Sequence, residues 1–116
     1  MNAYMDMLRR MKEEKEPFFK NYMTIAKEIK ELLRLYFKDF RVFVFGSVVK
    51  GNWNVFSDID ILIVSEEVPK DLIGRAKLKK LILERYNFNA PLEIHLATSV
   101  EFEKWYDRMI DVKIEI

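Results

Sequence analysis

Residues 46–60 of the 116-residue chain place a small turn pair close to two carboxylates. Gly46 and Ser47 end an apolar run typical of a β-strand, and Asp58 and Asp60 begin a second run of the same kind. Turn residues can bind phosphate oxygens through backbone N–H groups, and paired carboxylates can bind a divalent cation. The segment therefore indicates the two halves of a site for a nucleoside triphosphate.

Asp58 and Asp60 are two positions apart. On a strand their side chains point to one face, while the isoleucines between and after them point to the other. Two neighbouring carboxylates repel each other unless a cation joins them, and hard oxygen ligands suit Mg²⁺. The alternative is that both aspartates are solvated or cap a turn at the start of the strand.

Gly46, Ser47 and Lys50 could together bind an anion. Glycine at a strand end allows a ligand to approach the backbone closely. A helical turn over residues 47–51 would then aim free N–H groups at a phosphate. The Ser47 hydroxyl adds a donor, and Lys50 adds a positive charge within reach of the same anion. The alternative is an ordinary surface turn.

The position of each motif within its strand predicts the strand directions. Gly46 ends one strand and Asp58 begins the next, so they can serve one ligand only if these strands run antiparallel. A crossover helix over residues 69–86 then makes a third strand, residues 91–97, parallel to the second. Glu93, near the start of that third strand, is predicted to join the aspartates as a third acid. The alternative is a solvent-facing glutamate.

Three further residues near these motifs have open roles. His95 shares the face of Glu93 and could bind a phosphate, help to deprotonate a hydroxyl, or fill the polar face. Trp53 and Phe56 lie in the loop between the two half-sites, where either could stack on a base or anchor the loop by hydrophobic packing.

Helical periodicity dominates the first 38 residues. A first helix precedes Pro17, which suits the start of a second helix over residues 18–37. The wide apolar face of that second helix indicates core packing, with a homodimer contact as the alternative. Thr98 and Glu101 form a capping-box pattern for a last helix, and residues 111–116 alternate as a short edge strand does.

The predicted fold is α/β (α+β), with helices packed on one face of a small mixed sheet of three or four strands. The order is α-β-α-β-α-β-α, the second helix being a short turn. We expect a single domain over residues 1–116, with N-terminal helices over 1–38 and a catalytic core over 41–116.

Composition excludes several classes of site. The chain has no cysteine and one histidine, which excludes a disulfide framework and a multi-histidine zinc site. A formal charge of +1 indicates no basic surface of the kind that binds nucleic acid. No apolar run is long enough to span a membrane. We expect a cytoplasmic protein, and the absence of glutamine and cysteine beside abundant lysine and glutamate resembles heat-adapted proteins.

The motif resembles the nucleotidyltransferase superfamily that includes DNA polymerase β, and most of all its minimal branch, the minimal nucleotidyltransferase (MNT) family. That branch carries Gly-Ser, a Gly four residues after the Ser, then five residues and Ser-Asp-x-Asp. The matching positions are Gly46, Ser47, Gly51, Ser57, Asp58 and Asp60. Two departures are Val49-Lys50, where the family commonly has a small residue and Arg, and Glu93, where it usually has Asp.

The resemblance implies Mg²⁺-dependent transfer of a nucleoside monophosphate, with AMP from ATP expected, to a hydroxyl acceptor. Asp58, Asp60 and Glu93 would hold two Mg²⁺ ions, and Gly46, Ser47, Lys50, Gly51 and Ser57 would bind the nucleotide. The acceptor could be a small helical protein of the HEPN type, as in a toxin–antitoxin pair. The alternative is a non-catalytic nucleotide-binding or protein-interaction subunit that neutralises a partner.

Overall fold

A computed structural model of the protein describes residues 2–86 and 90–116. The elements are, in chain order, α1 (Ala3–Lys20), α2 (Tyr22–Leu33), β1 (Arg41–Phe45), α3 (Ser47–Lys50), β2 (Ile59–Val64), α4 (Leu72–Glu84), β3 (Leu92–Ala97), α5 (residues 99–109) and β4 (Lys113–Glu115). Within α5, a π-helical stretch, Phe102–Tyr106, joins two short α-helical pieces. This order agrees with the predicted one and includes the short helical turn after β1 and the last strand.

The four strands form one mixed sheet in the order β3-β2-β1-β4. β1 is antiparallel to β2 and to β4, and β2 is parallel to β3, as the sequence predicted for the first three strands. The end of β1 and the starts of β2 and β3 consequently meet at one edge of the sheet. We call this edge the site end.

One face of the sheet forms the main hydrophobic core. The isoleucines of β2 that alternate with Asp60 are fully buried against α1, α2 and α4, as their period-two spacing requires. The helices contribute large apolar side chains to the same core: Phe19, Ile25, Ile29, Leu33, Phe37 and Ile82. Most of the apolar face predicted over residues 18–37 is therefore used inside the protein.

The opposite face of the sheet is covered over part of its length by α5. Phe102 of α5 stacks on Phe43 of β1 with ring centroids 5.2 Å apart, and Leu62 and Val64 are buried beneath them. The three long helices lie on one face, as predicted, and α5 is an addition on the other. The remaining part of this second face, toward the site end, carries polar side chains.

The helix predicted over residues 18–37 is divided, which corrects the predicted boundary. α1 continues through Pro17 to Lys20, and the interruption falls at Asn21. Pro17 removes only one main-chain donor, so the helix continues past it. The Asn21 side-chain amide donates to the Pro17 carbonyl at 2.7 Å, and such a hydrogen bond competes with the main-chain hydrogen bonds of the helix. None of the helices in the described ranges combines the length and apolar character that a bilayer span requires.

A partly buried ion pair ties α5 to α4. The predicted capping box is present: Thr98 Oγ1 accepts from the Glu101 N–H, and the Glu101 carboxylate accepts from the Thr98 N–H. Arg75 donates to both oxygens of that carboxylate, at 2.6 and 3.1 Å. The Arg75 hydrogen bonds are the main reason that the pKa of Glu101 falls to about 2.

Glu101→Gln is expected to lower the free energy of unfolding by about 2 kcal/mol at pH 7, because it leaves the half-buried Arg75 without its charged partner. The folded pKa lies below the ordinary value of 4.5, so this stabilisation is complete above about pH 4.5 and is lost as the pH falls toward about 2. Urea unfolding at several pH values measures the difference between the two proteins. Glu103→Gln, an exposed change on the same helix, should stay within about 0.5 kcal/mol.

Candidate active site

Three polar side chains converge on the second face of the sheet at the site end. Asp60 of β2 lies opposite Glu93 in the parallel register, and His95 follows two residues later on the same face. His95 Nε2 is 3.3 Å from Asp60 Oδ1 and 3.7 Å from Glu93 Oε1. One ligand atom from each residue lies within 4.8 Å of the other two, so this acid–histidine cluster could hold a metal ion.

The His95 ring packs against two aromatic side chains. Its centroid is 5.2 Å from that of Phe45 in β1 and 5.8 Å from that of Tyr106 in α5, the latter edge to face. Burial, with a smaller contribution from the charge of Glu101, raises the pKa of the Tyr106 hydroxyl, which therefore stays protonated at neutral pH. The π-helical stretch of α5 thus supplies one wall of the cluster.

Gly46 places the main chain at the end of β1 in contact with Asp60 of the acid–histidine cluster. Its φ of +85° lies in the left-handed region, and the space that a Cβ would occupy is taken by the Asp60 carboxylate. The next residue, Ser47, begins the single helical turn α3, whose first N–H groups lack intrahelical acceptors. The turn at Gly46 and Ser47, with its free N–H groups, therefore lies beside the Asp60 carboxylate.

The loop between α3 and β2 is fixed at several points. Gly51, with φ of +79°, ends α3, and the Ser57 hydroxyl accepts from the Asn54 N–H at 2.9 Å. Trp53 packs on Phe19 of α1 with centroids 4.6 Å apart, which favours the anchoring role for this side chain. Phe56 is 68% exposed and has the room that stacking on a base requires.

Two charged residues of the predicted site, Asp58 and Lys50, lie outside the acid–histidine cluster. Asp58 is exposed and directly precedes β2, and it is not one of the three residues of the cluster. Lys50 Nζ pairs with Asp111 Oδ2 at 2.9 Å, and this contact lowers the pKa of Asp111. A phosphate at α3 would have to compete with Asp111 for the Lys50 ammonium.

The donor set fits a divalent cation. Asp60 and Glu93 offer the carboxylate oxygens that Mg²⁺ prefers, and both are open to solvent on one side. A cavity of about 620 Å³ lies at the opposite end of the sheet, lined by residues such as Asp39, Glu66 and Phe102. None of the three residues of the acid–histidine cluster lines this cavity, so we place the candidate metal site at the cluster and not in the cavity.

The period-two alternation of β3 predicts that His95 lies on the same face as Glu93, and the structure agrees. That alternation does not predict the role of the His95 side chain. Its contact with Asp60 depends on the register of β3 against β2, and its packing depends on Tyr106, eleven residues later on another element. Neither is encoded in a local pattern.

Comparison with known proteins identifies a family. A family model described as a nucleotidyltransferase domain matches residues 22–114. The chain is 41% identical over 56 residues to "Probable protein adenylyltransferase MntA" of Haemophilus influenzae; the match spans 48% of each chain, about half the length of that relative.

Two crystal structures share the fold. One, of a candidate nucleotidyltransferase, has a TM-score of 0.65 and 30% sequence identity, and the match covers 83% of this chain and 98% of the other. The second, of a candidate nucleotidyltransferase from Sulfolobus solfataricus, has a TM-score of 0.58 at 24% identity, covering 84% and 80% of the two chains. The family match covers most of this chain and includes the whole acid–histidine cluster. The chain therefore belongs to the nucleotidyltransferase domain family, as one of its minimal members.

Proposed function

We propose that the protein transfers a nucleoside monophosphate, AMP from ATP, to a hydroxyl group of a partner protein. The observation that carries this proposal is the convergence of Asp60, Glu93 and His95 beside Gly46 in a member of a nucleotidyltransferase family. The name of the MntA relative, a protein adenylyltransferase, supports both the nucleotide and the protein acceptor.

The triphosphate would lie along the turn that follows β1. Gly46 leaves room for phosphate oxygens to approach the backbone, and the first N–H groups of α3 and the Ser47 hydroxyl would donate to them. Gly51 and Ser57 would shape the loop that closes on the nucleotide, and Lys50 would exchange its Asp111 partner for a phosphate. These contacts position the α-phosphate over the acid–histidine cluster.

Asp58, Asp60 and Glu93 would hold Mg²⁺, with two ions expected from the resemblance. When bound, Mg²⁺ supplies positive charge that neutralises the triphosphate and lowers the pKa of the acceptor hydroxyl. The acceptor hydroxyl gives up its proton to solvent, and its oxygen forms a bond to the α-phosphorus as the bond from that phosphorus to the α,β-bridging oxygen breaks, so that pyrophosphate leaves. Positioning by the turn and charge neutralisation by the acids supply most of the rate.

The partner we propose is a small helical protein of the HEPN type, which would make this chain the antitoxin of a pair that works in the cytoplasm, where ATP is supplied. A homodimer through residues 18–37 would have to use the part of that face outside the core, which consists of the half-buried Phe18, Tyr22, Met23 and Leu32 and the exposed Tyr36.

Transfer is tested by incubating the protein with each of four α-³²P-labelled nucleoside triphosphates and Mg²⁺, with and without the product of a neighbouring reading frame. We expect label from ATP to appear on the added protein and not from GTP, CTP or UTP. Label that never reaches any protein, under conditions in which the nucleotide binds, would refute the proposed transfer.

One observation favours a second candidate, a nucleotide-binding subunit that neutralises a partner without chemistry. Asp58 stands outside the acid–histidine cluster, which leaves two carboxylates there instead of three. The two candidates differ for Asp58→Ala. An enzyme should lose at least tenfold in transfer and should fail to neutralise the partner, whereas a binding subunit should neutralise it as well as the unaltered protein does.

A further inference from the structure

His95 is the only histidine in the chain, and its Nε2 atom points at the two carboxylates of the proposed metal site. The distances of 3.3 and 3.7 Å to Asp60 and Glu93 are close to the separation of about 3.0–3.4 Å between neighbouring ligand atoms that each lie about 2.1 Å from one ion. The remaining pair of atoms, one oxygen each from Asp60 and Glu93, lies within 4.8 Å, so side-chain rotations would bring all three atoms onto one cation.

The surroundings of the imidazole hold it in this orientation. Phe45 and Tyr106 flank the ring, and the His95 side chain is 21% exposed, so the ring has little freedom to turn away. Apolar packing around a ligand reduces the conformational entropy lost when a cation binds. Phe45 and Tyr106 are therefore positioning residues for the imidazole.

We propose that His95 Nε2 is a direct metal ligand, together with Asp60 and Glu93, and that this nitrogen gives the site a preference for a first-row transition cation over Mg²⁺. Imidazole nitrogen binds such cations more strongly than it binds Mg²⁺, for which oxygen ligands and water suffice. The proposal rests on the proposed function only for the location of the site, because cation binding can be measured without a nucleotide.

The competing arrangement is a hydrogen bond from His95 to Asp60, with the cation on oxygen ligands alone. In that case His95 would orient the carboxylate without touching the ion, and replacing it would change Mn²⁺ and Mg²⁺ affinities by similar factors. The two arrangements differ in whether a nitrogen atom is bonded to the metal.

Mn²⁺ added to tag-free protein, observed by electron spin-echo envelope modulation, tests this directly. Because the chain has one histidine, an imidazole ¹⁴N coupling can come only from His95, and ¹⁵N-histidine labelling must change it. We expect that coupling, together with Mn²⁺ binding at least about tenfold tighter than Mg²⁺ in competition titrations. This spectrum uses the unaltered protein and does not depend on a variant that folds.

His95→Gln keeps a polar side chain but removes the imidazole. We expect it to abolish the nitrogen coupling and to lower Mn²⁺ affinity at least about tenfold, with Mg²⁺ affinity changed by less than about threefold. Mn²⁺ that binds in an Asp60-dependent manner without nitrogen coupling would overturn the proposal, as would a failure of Mn²⁺ to bind. If nitrogen coupling is observed but no nucleotide is ever transferred, His95 is a metal ligand and the proposed function is wrong.

Discussion

Asp60→Asn is expected to reduce nucleotidyl transfer at least about a hundredfold while leaving the fold intact, because one electrostatic group at a reacting centre contributes about this much. Asparagine keeps the volume of the side chain against Gly46 and removes the charge that the site supplies to a cation. Initial rates of label transfer measure the loss, and circular dichroism and thermal unfolding check the fold.

Asp6→Asn is the matched control for this change. Asp6 lies on the first turn of α1, paired with arginines of its own helix, and has no contact with the acid–histidine cluster. The same loss of one negative charge should leave transfer unchanged there. If Asp60→Asn retained more than a tenth of the activity, the assignment of Asp60 to the metal site would be wrong.

Gly46→Ala is expected to have the second largest effect, on stability and activity together. A non-glycine residue at φ of +85° and ψ of −159°, a region that almost only glycine adopts, costs about 1–3 kcal/mol, and the added Cβ also collides with the Asp60 carboxylate. Asp60 must move, and a displacement of about 1 Å at a reacting centre costs about a hundredfold in rate. Denaturant unfolding and transfer rates measure the two effects.

Gly51→Ala measures the cost of replacing a positive-φ glycine where no collision follows. Gly51 lies in the left-handed helical region at φ +79° and ψ +15°, which an alanine tolerates better than the Gly46 conformation, and nothing lies within 4 Å of the position of its Cβ. This variant should lose about 1 kcal/mol from strain alone. Gly46→Ala should lose more, and equal losses in the two variants would show that Asp60 does not pack against Gly46 as described.

The site end of the sheet could be predicted because its determinants are local or topological. Period-two alternation places Asp60 and Glu93 on the polar face of their strands, and the requirement that Gly46 and Asp58 serve one ligand implies an antiparallel β1–β2 pair. The parallel orientation of β3 to β2 follows from a helix of crossover length between them. These rules need no knowledge of side-chain packing.

The features that the sequence did not predict depend on contacts between distant parts of the chain. Lys50 pairs with Asp111, sixty-one positions later, because β4 returns beside β1. α5 covers the second face because Phe102 can stack on Phe43. The interruption at Asn21 reflects competition between its side chain and the helix backbone, which an apolar periodicity does not record.

The most direct test of the central claim compares α-³²P-ATP with γ-³²P-ATP as the label donor for the partner protein. Attack on the α-phosphate predicts that only the α label becomes attached to protein and that the γ label is released in pyrophosphate. The Asp60→Asn protein should attach neither. Attachment of the γ label, or equal labelling by the unaltered and Asp60→Asn proteins, would contradict nucleotidyl transfer at this site.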